Sequence, residues 1–366
     1  REIIQKVMEH EDVLGIMPTG SGKSVCYQLP ALMLDGLTIV VSPLISLMKD
    51  QVDAANQLGI AATFINSSLN GYETARRFQE LEQREIQLLY VAPERFIMPD
   101  FIRSMQHWNV QLLAIDEAHC ISQWGHDFRP SYLQMAEKLN ELIQRPIIVA
   151  LTATATIAVA EDIKRLLKIP IKNHIQTGFA RENLRLQVIK DQKKEQYLVE
   201  YLRMNQKQSG IIYAATRKEV DRIYHLLKKF GFNAGRYHGG MSERERTEMQ
   251  EAFLYDRVEL LVATNAFGMG INKSNIRFVI HYQIPGSLEA YYQEAGRAGR
   301  DGLLSDAILL FAPQDIQIQK FFIQQSQRED SQKQKEYEKL KAMTEYVYIE
   351  DCLQQYILAY FGEDGV

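Results

Sequence analysis

Residues 13–24 read Val-Leu-Gly-Ile-Met-Pro-Thr-Gly-Ser-Gly-Lys-Ser. A short apolar run, Val13–Met17, leads into two closely spaced glycines and then into a Lys-Ser pair. That order predicts a buried strand handing its carboxyl end to a phosphate-binding turn and a helix. Gly20 and Gly22 let the backbone turn with its amides inward, and a helix starting near Lys23 adds the positive end of its dipole. The candidate binders of nucleotide phosphates are therefore Thr19, Gly20, Ser21, Gly22, Lys23 and Ser24. Lys23 suits the β- and γ-phosphates, and Ser24 suits a magnesium ion. A turn with no ligand is the alternative, weakened by the strand pattern that precedes the Lys-Ser pair.

A second segment belongs to the same chemistry. Asp116-Glu-Ala-His119 follows the apolar run Gln111–Ile115. At the carboxyl end of a parallel strand, these carboxylates face the crevice where ligands bind. Asp116 is expected to hold magnesium through water, and Glu117 to orient and deprotonate the attacking water. Further on, Gln293-Glu-Ala-Gly-Arg-Ala-Gly-Arg300 places Arg297 and Arg300 three apart. On a helix they would share one face and could serve as arginine fingers on a γ-phosphate, with Gln293 one turn earlier sensing that phosphate or the water. An exposed basic helix is the competing reading. Lys23 and Glu117 lie in the first half of the chain and the arginines in the second, so hydrolysis would require two domains to close.

The alternation of short apolar runs with helical patterns gives the fold class, α/β with parallel sheets covered on both faces. Strands are predicted at Val13–Met17, Leu37–Ser42, Ile86–Ala92, Gln111–Ile115 and Pro146–Leu151. A second series falls at Ser209–Ala214, Glu259–Ala263, Ile276–His281 and Asp306–Phe311. Two series mean two domains, expected at 1–175 and 176–313, with an irregular, polar join near Ile171–Leu186. After Pro313 the alternation stops. Gln314–Lys341, rich in Gln, Lys and Glu, and the more apolar Ala342–Phe361 both read as helices of an appended piece, 314–366.

Composition sets limits. The 366 residues carry a net charge of −4, so any nucleic acid must be held by a local groove and not by overall charge. Cys26, Cys120 and Cys352 are far apart and form no CxxC pair, and the eight histidines show no metal-ligand spacing,. No apolar run approaches the roughly 20 residues needed to span a bilayer. No signal-peptide pattern is present, so a cytoplasmic protein is expected, associated with the nucleoid in a bacterium. The chain opens at Arg1 inside a helical pattern and stops at Val366 just after an apolar helix, which predicts a fragment.

With these segments placed, the chain resembles the superfamily-two helicases with a DEAH box, and among them the RecQ family of DNA helicases. The phosphate loop has Met17 where the strict pattern has glycine, the looser form of helicase-type ATPases. The resemblance extends through Val41–Gln51, Tyr90–Arg95, Leu151–Thr156, Ile211–Arg217, Tyr237–Ser242, Val262–Asn272 and Gln293–Arg300. The segment that selects the family is Cys120-Ile-Ser-Gln-Trp-Gly-His-Asp-Phe-Arg-Pro130, similar to the aromatic-rich loop of RecQ helicases. Trp124 and Phe128 can stack on unpaired bases, and Arg129 can pair with phosphate or stack on a ring. As core residues the aromatics would show a helical or strand period, and they do not.

The resemblance implies two tandem RecA-like domains and a helical start of a truncated zinc-binding subdomain. It implies an ATP-dependent DNA helicase with 3′→5′ polarity, using ATP and Mg²⁺ on single-stranded and forked DNA in repair and recombination. A monomer is expected, with no membrane association; no protein partner is indicated. Ser42, Pro43, Arg95, Arg217, His238 and Thr264 would line the single-strand groove, and His119, Thr152 and Thr154 would couple the domains. Ser242 with Glu245 reads instead as a helix capping box. The family's adenine-reading glutamine would precede Arg1. Of its four zinc cysteines only Cys352 falls within the sequence, so zinc is expected only in a longer chain. An RNA helicase, a duplex translocase that does not unwind and a nucleotide-gated binding module are the rival readings.

Overall fold

In the computed structural model, residues 1–190, 192–268 and 273–363 are described, apart from the side chains of Ser46 and Leu47. The chain divides into two compact units, Arg1–Phe179 and Ala180–Val366.

The first unit is built on seven strands: β1 (Val13–Ile16), β2 (Leu37–Val41), β3 (Ala62–Ile65), β4 (Leu88–Val91), β5 (Val110–Ile115), β6 (Ile147–Thr152) and β7 (His174–Gln176). They form a parallel sheet in the order β3-β4-β2-β5-β6-β1-β7. Every residue of β1, β2 and β4 is buried, as a sheet covered on both faces requires. The order has a functional consequence. β6 lies between β1 and β5, with Ile16 beside Thr152 and Ile115 beside Ala150. The segments that follow β1, β5 and β6 therefore emerge side by side at one edge.

Among the described residues the second unit has six parallel strands: β8 (Leu184–Ile189), β9 (Ser209–Tyr213), β10 (Ala234–Tyr237), β11 (Leu260–Ala263), β12 (Ile276–His281) and β13 (Ser305–Leu310), in the order β10-β11-β9-β12-β13-β8. Gly210 in β9 stands beside Phe278 of β12. A Cβ at Gly210 would lie 2.0 Å from the Phe278 ring. Overpacking of this kind costs about 1–3 kcal/mol. Gly210→Ala is accordingly expected to lower the urea midpoint with an unchanged m-value; an unaltered midpoint would contradict this packing.

The stretch expected to be irregular, Ile171–Leu186, contains β7 and the start of β8 besides a short 3₁₀ turn at Ile171–Asn173. The C-terminal piece also differs from expectation. Its helices are Gln314–Gln325, Asp330–Tyr348 and Leu353–Tyr360, so no boundary falls between Lys341 and Ala342. The compositional change there marks burial within one helix: Leu340, Met343, Tyr346 and Val347 are buried. Tyr346 packs on Tyr291 and Phe361 on Tyr292, so these helices cover the helix Leu288–Ala295.

Candidate nucleotide and nucleic-acid site

The loop after β1 has the expected backbone. Gly20 and Gly22 lie at φ 86° and 83°, conformations that L side chains rarely adopt. Lys23 Nζ donates to the carbonyls of Met17 at 3.1 Å and Pro18 at 3.4 Å, and Ser21 Oγ donates to Pro18 at 2.6 Å. Ser24 is the N-cap residue of the nine-residue helix Val25–Met33. Thr19 is half-buried, and Ser24 is exposed at the helix start.

After β5 the backbone turns sharply at Glu117, a non-glycine residue in the left-handed region (φ 49°, ψ 46°). The Glu117 amide donates to Asp116 Oδ1 at 3.0 Å, and the Tyr132 hydroxyl donates to the Asp116 carbonyl at 2.9 Å. This turn carries the Glu117 side chain toward His119, whose Nδ1 is 3.3 Å from Glu117 Oε2 and 2.9 Å from Thr152 Oγ1. Thr152 Oγ1 in turn bonds the backbone of Thr154 at 3.3 Å. His119, Thr152 and Thr154 are buried, so the three coupling candidates form one connected chain from Glu117 to the end of β6.

The electrostatics separate the two carboxylates. Withdrawal from water raises the pKa of Asp116, and the neighbouring Glu117 raises it further, against the pull of Lys23. Burial also opposes ionisation of Glu117, but His119, Lys23 and His126 outweigh it and hold this carboxyl below the usual range. Burial disfavours the His119 cation, yet Cys120 and Glu117 together raise its pKa. Burial pushes the Cys120 thiol up, so Glu117 is the partner that acts near neutral pH. A magnesium ion fits this donor set. Asp116 and Ser24 offer hard oxygens on two loops that share the sheet edge, and the ion would favour the ionised form of Asp116. Among the described residues no group of three or more His, Cys, Asp or Glu stands ready to hold a metal.

The aromatic segment is a loop, as its lack of period predicted. Trp124 is 46% exposed and Phe128 is half-buried. The loop is bound tightly to the DEAH turn: a Cβ at Gly125 would lie 2.3 Å from the His119 carbonyl. His126 stacks on His119 with ring centroids 4.3 Å apart. Arg129, expected to meet phosphate or a ring, pairs with Asp127 Oδ2 at 2.9 Å and donates to the Pro43 carbonyl at 3.3 Å. It thereby links the loop to the turn bearing the buried Ser42. Arg95 is similarly engaged, with Nη2 donating to Asn66 O at 3.1 Å.

In the second unit, Arg217, His238 and Thr264 follow β9, β10 and β11, three neighbouring strands. A Cβ at Gly240 would be 3.2 Å from both Arg217 Cδ and His238 Nδ1. His238 Nε2 lies 3.2 Å from Asp221 Oδ1. Ser242 and Glu245 form the capping box read from the sequence. Residues 269–272 of the Val262–Asn272 segment lie outside the described residues.

The two arginines depart from expectation. The helix Leu288–Ala295 carries Gln293 but ends before both. Arg297 and Arg300 lie in the following turns, where Gly299 adopts φ 64°, so no helical face is shared. The glycines that break the helix are the reason. Arg297 is buried, and its Nη1 donates to the Gly268 carbonyl; Arg300 and Gln293 are half-buried. Cys352, exposed, is the N-cap residue of the last helix, and a single thiolate does not fit a structural zinc ion.

Sequence reasoning missed His126, Asp127 and Tyr132. The first two stood inside the quoted aromatic segment, where Trp124 drew the reading; nothing in the sequence pointed to Tyr132.

Comparison with known proteins adds the following. Residues 1–163 match the DEAD/DEAH box helicase model, 193–302 the helicase conserved C-terminal domain and 313–365 the RecQ zinc-binding model. The chain is 55% identical over 99% of its length to the ATP-dependent DNA helicase RecQ of Bacillus subtilis, covering 61% of that protein. It is 44% identical over 99% to RecQ of Haemophilus influenzae, covering 58%. It is also 40% identical over 99% to a putative ATP-dependent RNA helicase of Acanthamoeba polyphaga mimivirus, covering 66%. The chain thus spans about three fifths of the length of these RecQ relatives. In fold it is similar to the helicase MrfA bound to DNA (21% identity, TM-score 0.68, 88% of this chain and 48% of that one). It is likewise similar to S. cerevisiae Dbp5 bound to RNA and ADP BeF3 (20% identity, TM-score 0.67, 92% and 93%). Both units thus have the RecA-like helicase fold. No described helix is long and apolar enough to cross a membrane.

Proposed function

The chain belongs to the RecQ family of helicases, and from that premise we propose that it hydrolyses ATP to move along single-stranded DNA and separate duplex strands. The observation that carries this reading is the continuous path from Glu117 through His119 to both Thr152 and the aromatic loop. It joins the residue suited to activate water to the residues suited to stack on bases. In this mechanism Lys23 and the loop amides bind the triphosphate; Ser24 and Asp116 would hold a magnesium ion, which when bound would neutralise phosphate charge. Glu117, kept ionised, orients and deprotonates the attacking water. Arg297 and Arg300, with Gln293, meet the same phosphates from the second domain as the domains close.

Reopening after hydrolysis, with grip alternating between the grooves at Ser42, Pro43 and Arg95 and at Arg217, His238 and Thr264, drives the strand in one direction. The 3′→5′ polarity, action on forked DNA, monomeric state and role in repair and recombination belong to this proposal through the family. The domain limits 1–175, 176–313 and 314–366 do so too.

Trp124→Ala tests it. Stacking is worth about 1–3 kcal/mol per base. The single-stranded DNA concentration giving half-maximal ATPase should therefore rise roughly 5- to 150-fold, with basal turnover changed far less. Equal losses would count against base sensing by this loop. The name of the mimivirus relative favours RNA as the second reading. ATPase stimulation by matched DNA and RNA strands decides between them, and a forked-duplex assay separates unwinding from translocation alone.

A further inference from the structure

Within the second unit, residues after β9, β11 and β12 meet those of the Gln293–Arg300 segment in a closed ring of contacts. The Tyr213 hydroxyl, at the end of β9, donates to the Phe267 carbonyl at 2.9 Å. The next carbonyl, that of Gly268, accepts from Arg297 Nη1. The Tyr213 ring stacks on His281 with centroids 5.4 Å apart. His281 Nε2 is 2.7 Å from Glu294 Oε2, and the Glu294 carbonyl accepts the Arg297 amide at 3.2 Å. Tyr213, His281, Glu294 and Arg297 are all buried. The same turn carries Thr264, whose carbonyl accepts the Phe267 amide at 3.0 Å. The proposed DNA-groove residue Thr264 and the proposed finger Arg297 therefore rest on one short stretch of backbone, 264–268.

We propose that Tyr213 is a positioning residue: by fixing the Phe267 carbonyl it holds the Gly268 carbonyl on which Arg297 is parked, so that Arg297 is released to phosphate only when DNA shifts this stretch. The proposal rests on the reading of Arg297 as a finger. A guanidinium whose Nη1 is bonded to a carbonyl withholds that donor from a phosphate until the bond is given up,. Whatever weakens the carbonyl's position makes the release easier. Tyr213 touches neither nucleotide phosphate nor base in this scheme; it acts through the 264–268 backbone and through its hydroxyl beside the Arg297 guanidinium.

The test is ATPase turnover of the full chain with and without an oligo-dT strand. Removing one hydrogen bond shifts an equilibrium by about threefold to tenfold. For Tyr213→Phe, turnover without DNA should rise by that factor, while DNA-saturated turnover and the KM for ATP stay within about twofold, so the stimulation ratio falls. A merely structural role would lower both rates together, and an equal fall or an unchanged ratio overturns the proposal. If Tyr213→Phe does not fold, Gly268→Ala serves, because its Cβ would lie 3.1 Å from Arg297 Nη2 and crowd the parked guanidinium. It too should lower the ratio, and an unchanged ratio overturns the proposal. Arg297→Ala separates the two levels. Full turnover in that variant removes the finger reading and this proposal with it, whereas lost turnover with an unchanged ratio in Tyr213→Phe sinks this proposal alone.

Discussion

Lys23→Ala is expected to lower ATP turnover by about 10³-fold, equivalent to roughly 4 kcal/mol of transition-state stabilisation, with the fold intact. The ammonium is already gathered over the loop by the Met17 and Pro18 carbonyls, so binding phosphate requires little reordering of a flexible stem. In place of two carbonyl contacts it would gain a phosphate whose charge grows on the oxygens it faces. The fold does not depend on it. The loop's backbone is set by Gly20 and Gly22, and its anchorage by the Met17 amide on the Thr152 carbonyl at 2.9 Å. Phosphate release and circular dichroism on the same preparation check both halves. Turnover near that of the unaltered chain would remove the phosphate-site assignment.

How the sequence displayed this site, and where it fell silent, follows from burial. The nine strands expected from apolar runs are the nine interior strands of the two sheets. The four strands that escaped notice, β3, β7, β8 and β10, are the four edges. An edge strand pairs on one side only and tolerates polar residues, as in His174-Ile-Gln176 or Ala234-Gly-Arg-Tyr237,. Its sequence then lacks the continuous apolar signal that marks an interior strand. Loops after interior strands were legible for the same reason: Gly20 and Asp116 each follow a run read as a buried strand, and Thr152 closes one. Side-chain partnerships were not legible. Nothing in the spacing of Arg129 and Asp127 says that they pair with each other. Nor does the sequence place His126 against His119, because the six intervening residues can close in many ways. The helix expected to carry Arg297 failed on local grounds. Gly296 and Gly299 interrupt it, and the arginine is aimed instead by the Gly268 carbonyl, 29 residues away in sequence.

Glu117→Gln is expected to reduce turnover by about 10²- to 10⁴-fold, the range lost when a positioned general base is removed, while nucleotide binding is retained. The substitution keeps the shape of the side chain and its ability to orient a water molecule. It removes the capacity to accept a proton. The surroundings keep the group ionised, and so available as an acceptor, at the expense of basicity: His119, Lys23 and His126 hold the Glu117 carboxyl below the usual range although burial opposes ionisation,. Asp116, one residue earlier, is shifted in the opposite direction by burial and by the Glu117 charge. The backbone at 117 is left-handed. Such a conformation costs a non-glycine residue about 1–2 kcal/mol, offset here by the His119 contact and the Asp116 Oδ1 bond to the Glu117 amide. A fluorescent ATP analogue measures binding, and phosphate release measures turnover. Weakened binding with little change in turnover at saturation would reassign Glu117 to ground-state contacts, and turnover within tenfold of the unaltered chain would exclude it as the base.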